Sequence, residues 1–281
     1  MRGSSDPIRQ RHLVNQLKRL RTEADMSQEA VAEEMGWDRS KIVRIESGKV
    51  LTVKASDVRA LGDLYGLGPE RKAALVELAK RARTPGWWHR YEDVLPDAYV
   101  ALEEDASYIS NYEPLCVPGL LQTEEYTAAL TWAAGETEET TVQRRAEARA
   151  NRRQTLLNQN KPPKLWLVID EAVLLREVGG RETMRGQLQR ILELGGLPNI
   201  NVQVLPLARG AHAAMGGPFV LLEFPASSPI VYLENDISGL YMETEVEITR
   251  YRLVFDLIQD KALSTDDSVS YLEKHLSRLS D

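Results

Sequence analysis

One segment of the chain, residues 27–49, constrains the fold most strongly, because its capping and turn residues come at fixed spacings. Ser27 is a good N-cap for a first helix, Gly36 can end that helix and permit a sharp turn, and Asp38 can cap a second helix. Ala32 is small enough to let two crossing helices approach closely. The segment therefore predicts two short helices joined by a tight turn.

The second helix of this segment has one apolar face and one polar face. Ile42 and Ile45 point inward at a spacing of i, i+3. The outward face carries four candidates for reading DNA bases, namely Arg39, Ser40, Val43 and Arg44. Arginines that project from the start and middle of such a helix have the geometry needed to enter a major groove. An ordinary helical hairpin is the alternative interpretation.

The other residues of the N-terminal third are also helical in pattern. Apolar residues repeat at helical spacing in five short stretches, the first of which includes Leu13 and Leu20. Pro69 lies near the start of the fifth stretch, where a missing N–H costs nothing. The sequence Thr-Pro-Gly at 84–86 then breaks the pattern. We predict an all-α five-helix bundle at 1–84 that contains the helix-turn-helix.

Residues 85–281 form a second predicted domain with a mixed pattern. Residues 85–160 look mainly helical, and 112–119 look like a turn or crossing. From residue 161 onward, runs rich in β-branched and aromatic residues predict four strands, at Lys164–Ile169, Asn201–Leu205, Phe219–Phe224 and Ile230–Leu233. Helices are predicted at about 171–177, 181–194, 244–260 and 266–279. The fold class is therefore α+β, with a small sheet covered by helices.

Charge is divided unevenly between the two parts. Residues 1–85 contain 17 Lys and Arg and 12 Asp and Glu, whereas residues 86–281 contain 18 and 30, and the net charge of the chain is −7. A basic N-terminal third on an acidic body suggests a module that binds a polyanion, although chance unevenness would produce the same numbers.

Composition excludes several classes of protein. With 43% hydrophobic and 27% charged residues, the chain can bury a core, which excludes global disorder. No apolar run approaches the ~18 residues that a membrane span needs, and we expect no secretory signal at the N-terminus. The single Cys116 excludes an intramolecular disulfide and a thiolate zinc cluster. We expect this thiol to be buried and the protein to be cytoplasmic.

Candidates for catalysis or metal binding are weak. Asp170 and Glu171 follow a predicted strand, but Glu171 is better explained as the start of a helix. The histidines lack metal-ligand spacing. His212 lies in a glycine-rich loop, 210–217, that lacks the lysine of a phosphate-binding loop and is best interpreted as a strand connection. We expect no catalytic residue, no metal, no cofactor and no enzyme activity.

One predicted helix, 138–158, is rich in arginine. Its arginines are Arg144, Arg145, Arg149, Arg152 and Arg153, and several of them share one face. Because glutamates are interspersed, we interpret this face as solvated and salt-bridged. The alternatives are a dimer contact and a docking strip for an acidic partner.

The first domain resembles the Cro/repressor (Xre) type of helix-turn-helix regulators. The residues that carry the resemblance are S-Q-E-A-V-A at 27–32, Gly36 at the turn, and I-x-x-I-E-x-G-K at 42–49. Many relatives place Ser or Thr where Asp38 stands. A carboxylate there would repel DNA phosphates unless it acts purely as a cap.

This resemblance implies a role for each matching residue. The residues at the base-reading positions are Arg39, Ser40, Val43 and Arg44. Those implied to contact phosphates or to position the helix are Gln28, Lys41, Lys49 and Lys54. Arg21 and Glu46 would form a structural brace between helices.

The second domain resembles the C-terminal domain of the WhiJ-like regulators of actinobacteria, which is a body of unassigned function. The matching phrases lie at 87–88, 108–123, 170–180, 202–207, 210–212, 216–224 and 232–235. The resemblance implies that a small acidic protein acts together with the regulator.

The sequence thus predicts a sequence-specific transcriptional regulator that binds double-stranded DNA. Its second domain would form a homodimer, because one helix-turn-helix covers only about a half-site, and would sense a small protein partner or ligand. Trp87, Trp88 and the C-terminal helices are the expected dimer contacts. One alternative is the DNA-binding member of a toxin–antitoxin-like pair that binds a small acidic protein. Another is an enzyme with a DNA-binding appendage.

Overall fold

The computed structural model describes residues 6–49, 53–95, 97–234 and 239–280. Asn235, in the last of the matching phrases, lies outside the described residues. The chain divides into two compact units. The first unit holds the residues up to 90 together with 97–105 and 224–228, and the second holds 91–96, 106–223 and 229–281.

The helix-turn-helix bundle lies in the first unit and confirms the predicted all-α fold. Its helices are α1 (Pro7–Glu23), α2 (Gln28–Met35), α3 (Arg39–Glu46), α4 (Ala55–Leu64), α5 (Pro69–Arg81) and α6 (Asp97–Asp105). The core that α1 to α5 share is aliphatic and includes Leu13, Leu17, Val31, Ile42, Ile45, Val58, Leu61 and Leu75. Pro69 is the first residue of α5, as its missing N–H predicts.

A row of polar side chains on α1 is buried inside the first unit. Arg9 donates from Nε and Nη2 to the Asp105 carboxylate at 2.7 and 2.8 Å, and its guanidinium lies 4.8 Å from the centre of the Trp88 ring. His12 Nε2 lies 2.6 Å from Ser227 Oγ. Gln16 Oε1 accepts from Ser228 N at 3.0 Å. Residues of segments 97–105 and 224–228 therefore form hydrogen bonds with the polar side chains of α1.

Trp88 contributes to this packing and not to a free surface. Its side chain is buried and lies under Arg9. The expectation that Trp88 forms part of a dimer contact is therefore wrong, because the ring is already covered within its own unit.

The second unit is built on a six-stranded mixed sheet. Its strands are β1 (Tyr108–Glu113), β2 (Lys164–Asp170), β3 (Ile200–Leu205), β4 (Phe219–Glu223), β5 (Ile230–Glu234) and β6 (Gly239–Met242), in the order β3-β2-β1-β4-β5-β6. β1, β2 and β3 run parallel, whereas the β1–β4, β4–β5 and β5–β6 pairs are antiparallel. The four predicted strands are confirmed within one residue at each end.

The sequence analysis missed β1, the central strand. The predictions that 85–160 is mainly helical and that a turn begins at residue 112 are wrong within the range of this strand. Tyr108 and Tyr112 repeat at a helical spacing of four residues, and the strand places Ser110 and Asn111 in buried positions. A strand paired on both sides and covered by helices need not alternate between apolar and polar residues. The usual periodicity is therefore absent.

The helices of the second unit are α7 (Glu124–Ala133), α8 (Glu139–Leu157), α9 (Glu171–Leu175), α10 (Arg181–Gly195), α11 (Glu245–Lys261) and α12 (Thr265–Ser280). α11 packs on one face of the sheet through Phe255 and Ile258, against Tyr112, Phe219 and Val231. Among the described residues, no helix combines the length and apolar character that crossing a membrane requires.

Two further expectations about this unit need correction. The arginine face of α8 is not solvated, because Arg149 donates to Gln122 Oε1 and Arg153 donates to Gln122 O within the unit. Arg144, by contrast, is exposed and pairs with Asp93 at 2.8 Å. Cys116 is only half-buried, although burial raises the pKa of its thiol to about 12.

Candidate nucleic-acid interface

The turn between α2 and α3 is built by local hydrogen bonds. Ser27 Oγ accepts from Ala30 N at 3.0 Å and starts α2, and Gly36 ends it with φ of +61°, a backbone conformation that favours glycine. Asp38 Oδ1 then accepts from Ser40 N at 2.7 Å. These contacts fix the direction in which α3 leaves the turn.

Asp38 acts as the cap of α3. The hydroxyl and amide of Ser40 lower the pKa of the Asp38 carboxyl, so that it stays ionised. The negative charge lies at the helix N-terminus, where the unpaired amides and the helix dipole favour it.

The four residues predicted to read bases share the exposed face of α3, which we call the reading face: Arg39, Ser40, Val43 and Arg44. Ile42 and Ile45 point to the opposite side and are buried in the bundle core. The helix therefore presents two guanidinium groups, one hydroxyl and one apolar side chain to solvent, which are the groups that recognise base edges.

Both arginines of the reading face already have a contact in the free protein. Arg39 Nη2 lies 2.5 Å from Glu29 Oε1, and both side chains are exposed. Arg44 Nε donates to Ser40 O at 3.3 Å. Exposed contacts of this kind are weak and can be exchanged for a stronger acceptor such as a base or a phosphate. Sequence reasoning did not identify Glu29, and its position on α2 gives no separate signal.

The residues predicted to contact phosphate fall into two groups. Lys49 and Lys54 are exposed, after α3 and before α4. Lys41 instead lies 3.1 Å from Asp57 Oδ2, with Nζ 3.3 Å from the centre of the Trp37 ring. Its side chain is therefore held by two neighbours in the free protein.

Gln28, the fourth residue of that set, takes part in the helix brace. Glu46 accepts from Arg21 Nε at 2.7 Å, from Arg21 Nη2 at 3.0 Å and from Gln28 Nε2 at 2.7 Å. Arg21 Nη1 also donates to Met26 O at 2.6 Å. The hydrogen bond to Glu46 is the main cause that raises the pKa of Arg21. We call Arg21, Gln28 and Glu46 the brace, because together they tie α1, α2 and α3.

The second unit contains two further candidate sites, a cluster of polar side chains and a cavity. Tyr112 Oη lies 3.4 Å from Asp170 Oδ2 and 3.4 Å from His212 Nε2, while Asp170 Oδ1 caps α9 by accepting from Ala172 N. A cavity of about 370 Å³ lies beside the glycine-rich loop and is lined by Phe219, Tyr251 and Arg250 among others. Within the described ranges, no group of three or more His, Cys, Asp or Glu side chains could hold a metal ion.

Comparison with known families separates the same two parts of the chain. A family model described as a helix-turn-helix domain matches residues 12–75. A second model, described as a domain of unknown function (DUF5753), matches residues 96–274, which is more than half of the chain. No curated protein and no solved structure gives a significant match. The helix-turn-helix match supports DNA binding by the part of the chain that contains the reading face.

Proposed function

Because this chain belongs to the family defined by DUF5753, a domain of unknown function, and carries a helix-turn-helix domain in front of it, we propose that it is a sequence-specific DNA-binding transcriptional regulator. The observation that carries the proposal is the reading face. Four side chains with base-reading chemistry leave one side of a short helix that directly follows a tight turn.

Each side chain of the reading face has a preferred target. Arg39 and Arg44 suit the O6 and N7 atoms of guanine, Val43 suits the methyl group of thymine, and Ser40 can pair with several bases. Lys49 and Lys54 are placed to neutralise phosphates, which sets register without carrying sequence information. Gln28 and Lys41 act on DNA indirectly, through the brace and through Trp37 respectively.

The second unit supplies the dimer contact in this proposal. Val246, Leu253 and Leu257 are 81%, 49% and 43% exposed and follow one line along α11, which we call the α11 stripe. Exposed apolar residues in a contiguous line are typical of interaction surfaces. Two copies joined there would present two reading faces to half-sites about 34 Å apart or a multiple of that distance.

The finer assignments follow from the motifs in both parts of the chain. We propose a cytoplasmic regulator of the Cro/repressor (Xre) type, related to the WhiJ-like regulators of actinobacteria, whose second unit senses a small protein or a ligand. We propose no catalytic activity. Asp170 caps a helix, and Glu171 accepts from Leu207 N and from Tyr271 Oη, so both carboxylates have structural partners.

The alternative is a member of a toxin–antitoxin-like pair that binds a small acidic protein. The arginines of α8 were its most plausible docking strip, and Arg149 and Arg153 instead bind Gln122 inside the second unit. The regulator is therefore the better supported proposal. Co-purification of a stoichiometric small acidic protein from the native host would favour the alternative.

Selection of bound duplexes from a random library tests the proposal directly. We expect the full-length protein to enrich one motif with two related half-sites, and the double variant Arg39→Ala/Arg44→Ala to lose that enrichment. Arg144→Ala, an exposed arginine in the second unit, is the matched control and should enrich the same motif. Failure of the wild-type protein to enrich any sequence would overturn the proposal.

A further inference from the structure

The cavity beside the glycine-rich loop lies within the second unit, and its described lining comes from several elements. Its volume is about 370 Å³. Small-molecule sites typically measure about 300–1,000 Å³, so the cavity is large enough for a small ligand. The loop contributes Ala213 and Gly217, the strands contribute Phe219 and Leu233, and α11 contributes Tyr251. Parts of the chain that are distant in sequence therefore converge on one concave surface.

The glycine-rich loop is held in shape by hydrogen bonds within the second unit. Lys261 Nζ of α11 donates to Ala211 O at 2.7 Å, and the amide of Ala214 donates to His212 Nδ1 at 3.3 Å. The His212 ring packs edge-on against Tyr112, with ring centroids 5.7 Å apart. This wall of the cavity is therefore formed before a ligand binds, which lowers the entropy cost of binding.

The walls of the cavity are apolar and partly aromatic. Phe219 and Tyr251 form a tilted pair with ring centroids 5.0 Å apart, and Val254 beside them is buried. Leu240 also lines the cavity and is 54% exposed, so covering it with an apolar group would be favourable. Aromatic rings attract further rings in tilted or offset contacts. These walls therefore favour a ligand with an aromatic body.

Two hydrogen-bond donors on α11 are unused beside these walls. Arg250 lines the cavity and is exposed, and in the described part of the chain its guanidinium forms no hydrogen bond or ion pair. The Tyr251 hydroxyl likewise hydrogen-bonds no other residue that the structure describes. A guanidinium donates only, and it matches the two oxygens of a carboxylate. The unused donors therefore favour a ligand that carries a carboxylate.

Glu234 is the acidic residue of the described lining, and its carboxylate is already used. The Tyr232 hydroxyl donates to it, and the two residues share one face of β5 because they are two positions apart. Val231 and Leu233 alternate with them and pack on the opposite side, in the core that includes α11. The carboxylate of Glu234 therefore lies on the side of the sheet away from α11 and does not neutralise Arg250.

We propose that this cavity binds a small organic acid that has an aromatic body and a single carboxylate. The carboxylate accepts hydrogen bonds from the guanidinium of Arg250 and the hydroxyl of Tyr251. The ring of the ligand packs against Phe219 and is covered by Leu240. The inference rests on the proposed function only in that this acid would be the ligand that the second unit senses.

The charges around the cavity select a monoanion over other aromatic ligands. Arg250 is the single cationic residue among the described residues of the lining. A neutral aromatic molecule would leave this guanidinium without an acceptor. A dianion or a phosphate ester would bring a second negative charge that no described lining residue compensates, which is unfavourable in a partly enclosed site.

Calorimetric titration of the full-length protein, without DNA, tests this inference. The probes are benzoate, phenylacetate, indole-3-acetate and 2-naphthoate, each at up to about 10 mM, which would saturate a site with a Kd of about 1 mM. We expect at least one of these acids to bind saturably, with one molecule per chain. The primary amide of that acid keeps the ring and loses the charge, and it should bind about tenfold more weakly. Octanoate, which keeps the charge and lacks a ring, should also bind more weakly.

Variants with matched controls locate the site. Arg250→Gln should weaken binding of the acid about tenfold and leave binding of the amide unchanged. Arg252 lies two residues further along α11 and pairs with Glu223 instead, so Arg252→Gln should bind the acid like the wild type. Leu240→Ser should weaken binding several-fold, whereas Leu207→Ser changes an equally exposed leucine outside the lining and should not.

Several outcomes would overturn the inference. These are the absence of saturable binding by all of the acids, equal binding of the acid and its amide, and binding of octanoate as tight as that of the best aromatic acid. Equal affinities of Arg250→Gln and Arg252→Gln would show that the acid binds elsewhere on the surface, and would overturn it as well. Because no DNA is present, failure here leaves the proposed DNA reading untouched, and failure of duplex selection leaves this site untouched.

Discussion

Arg21 and Glu46 form a two-point ion pair, with Nε 2.7 Å from Oε1 and Nη2 3.0 Å from Oε2. The pair joins the end of α1 to the end of α3, and Glu46 also accepts from Gln28. Glu46 therefore accepts three hydrogen bonds, two of which are strengthened by the charge of Arg21. The orientation of the reading face on α3 therefore depends on a buried glutamate two residues beyond Arg44.

Removal of Glu46 should destabilise the protein. Glu46→Ala leaves Arg21 without its main partner, and breaking a half-buried ion pair from one side lowers the free energy of unfolding by roughly 1–3 kcal/mol. Denaturant unfolding followed by circular dichroism measures this change. Lys80→Ala, which breaks the exposed pair with Glu77, is the control and should change the free energy by less than about 1 kcal/mol. Equal denaturation midpoints for Glu46→Ala and Lys80→Ala would show that the brace does not stabilise the protein.

Arg44 and Lys49 should affect DNA binding in different ways. Arg44→Ala should weaken binding to the selected duplex by ~1–3 kcal/mol and relax preference at one or two base pairs, because a guanine contact is lost. Lys49→Ala should weaken all duplexes similarly and reduce the slope of log K against log salt by about one. Titrations of selected and scrambled duplexes at several salt concentrations separate the two effects. Equal losses for Arg44→Ala on both duplexes would contradict its assignment as a base reader.

The negative charge of Glu29 should lower the affinity for DNA. It holds Arg39 in an exposed ion pair, and its negative charge lies near the path of the DNA phosphates in the proposed complex. Glu29→Gln should therefore tighten binding to the selected duplex a few-fold, an effect that weakens with added salt. Glu77→Gln on α5 removes the same charge at another exposed place and serves as the control. A weaker complex for Glu29→Gln would show instead that Glu29 positions Arg39 for binding.

Acid should destabilise the first unit through His12. Burial of the imidazole is the main cause that lowers the pKa of His12 to about 4 in the folded protein. In the unfolded chain this pKa is near 6.5, so the unfolded state binds the proton more readily. The contribution of His12 to stability is complete above about pH 6.5 and is lost as the pH falls towards 4, by up to roughly 3 kcal/mol. His12→Gln should remove this pH dependence. The difference in unfolding free energy between wild type and variant, measured at pH 7.5 and 4.5, checks the sign, and a constant difference would contradict it.

The α11 stripe should control assembly. Light scattering should show a dimer of the full-length protein, and Leu253→Glu should yield a monomer, because a buried unpaired carboxylate opposes association. Leu175→Glu changes an equally exposed leucine on α9 and should leave the dimer intact. A wild-type protein that is monomeric at micromolar concentration, both free and on DNA, would overturn the assembly proposal.

The sequence was sufficient for the elements whose signals are local. Ser27, Gly36 and Asp38 act within three residues of their own positions, so their side chains predict the start and end of α2 and α3 without knowledge of the remaining fold. The strands β2, β3, β4 and β5 were also predictable, because apolar β-branched runs between breakers need no partner to be recognised.

The tertiary structure alone decided the features that join distant parts of the chain. Glu113 at the end of the unpredicted central strand β1 and Glu234 at the end of β5 lie near each other only because the sheet order places β1 and β5 on either side of β4. In the same way, Arg9 and His12 of α1 are buried only because segments 97–105 and 224–228, which lie far from them in the chain, pack against this helix. Capping and turn formation depend on atoms a few bonds apart, whereas the burial of a polar side chain depends on which elements pack together, and the sequence carries no local signal for that choice.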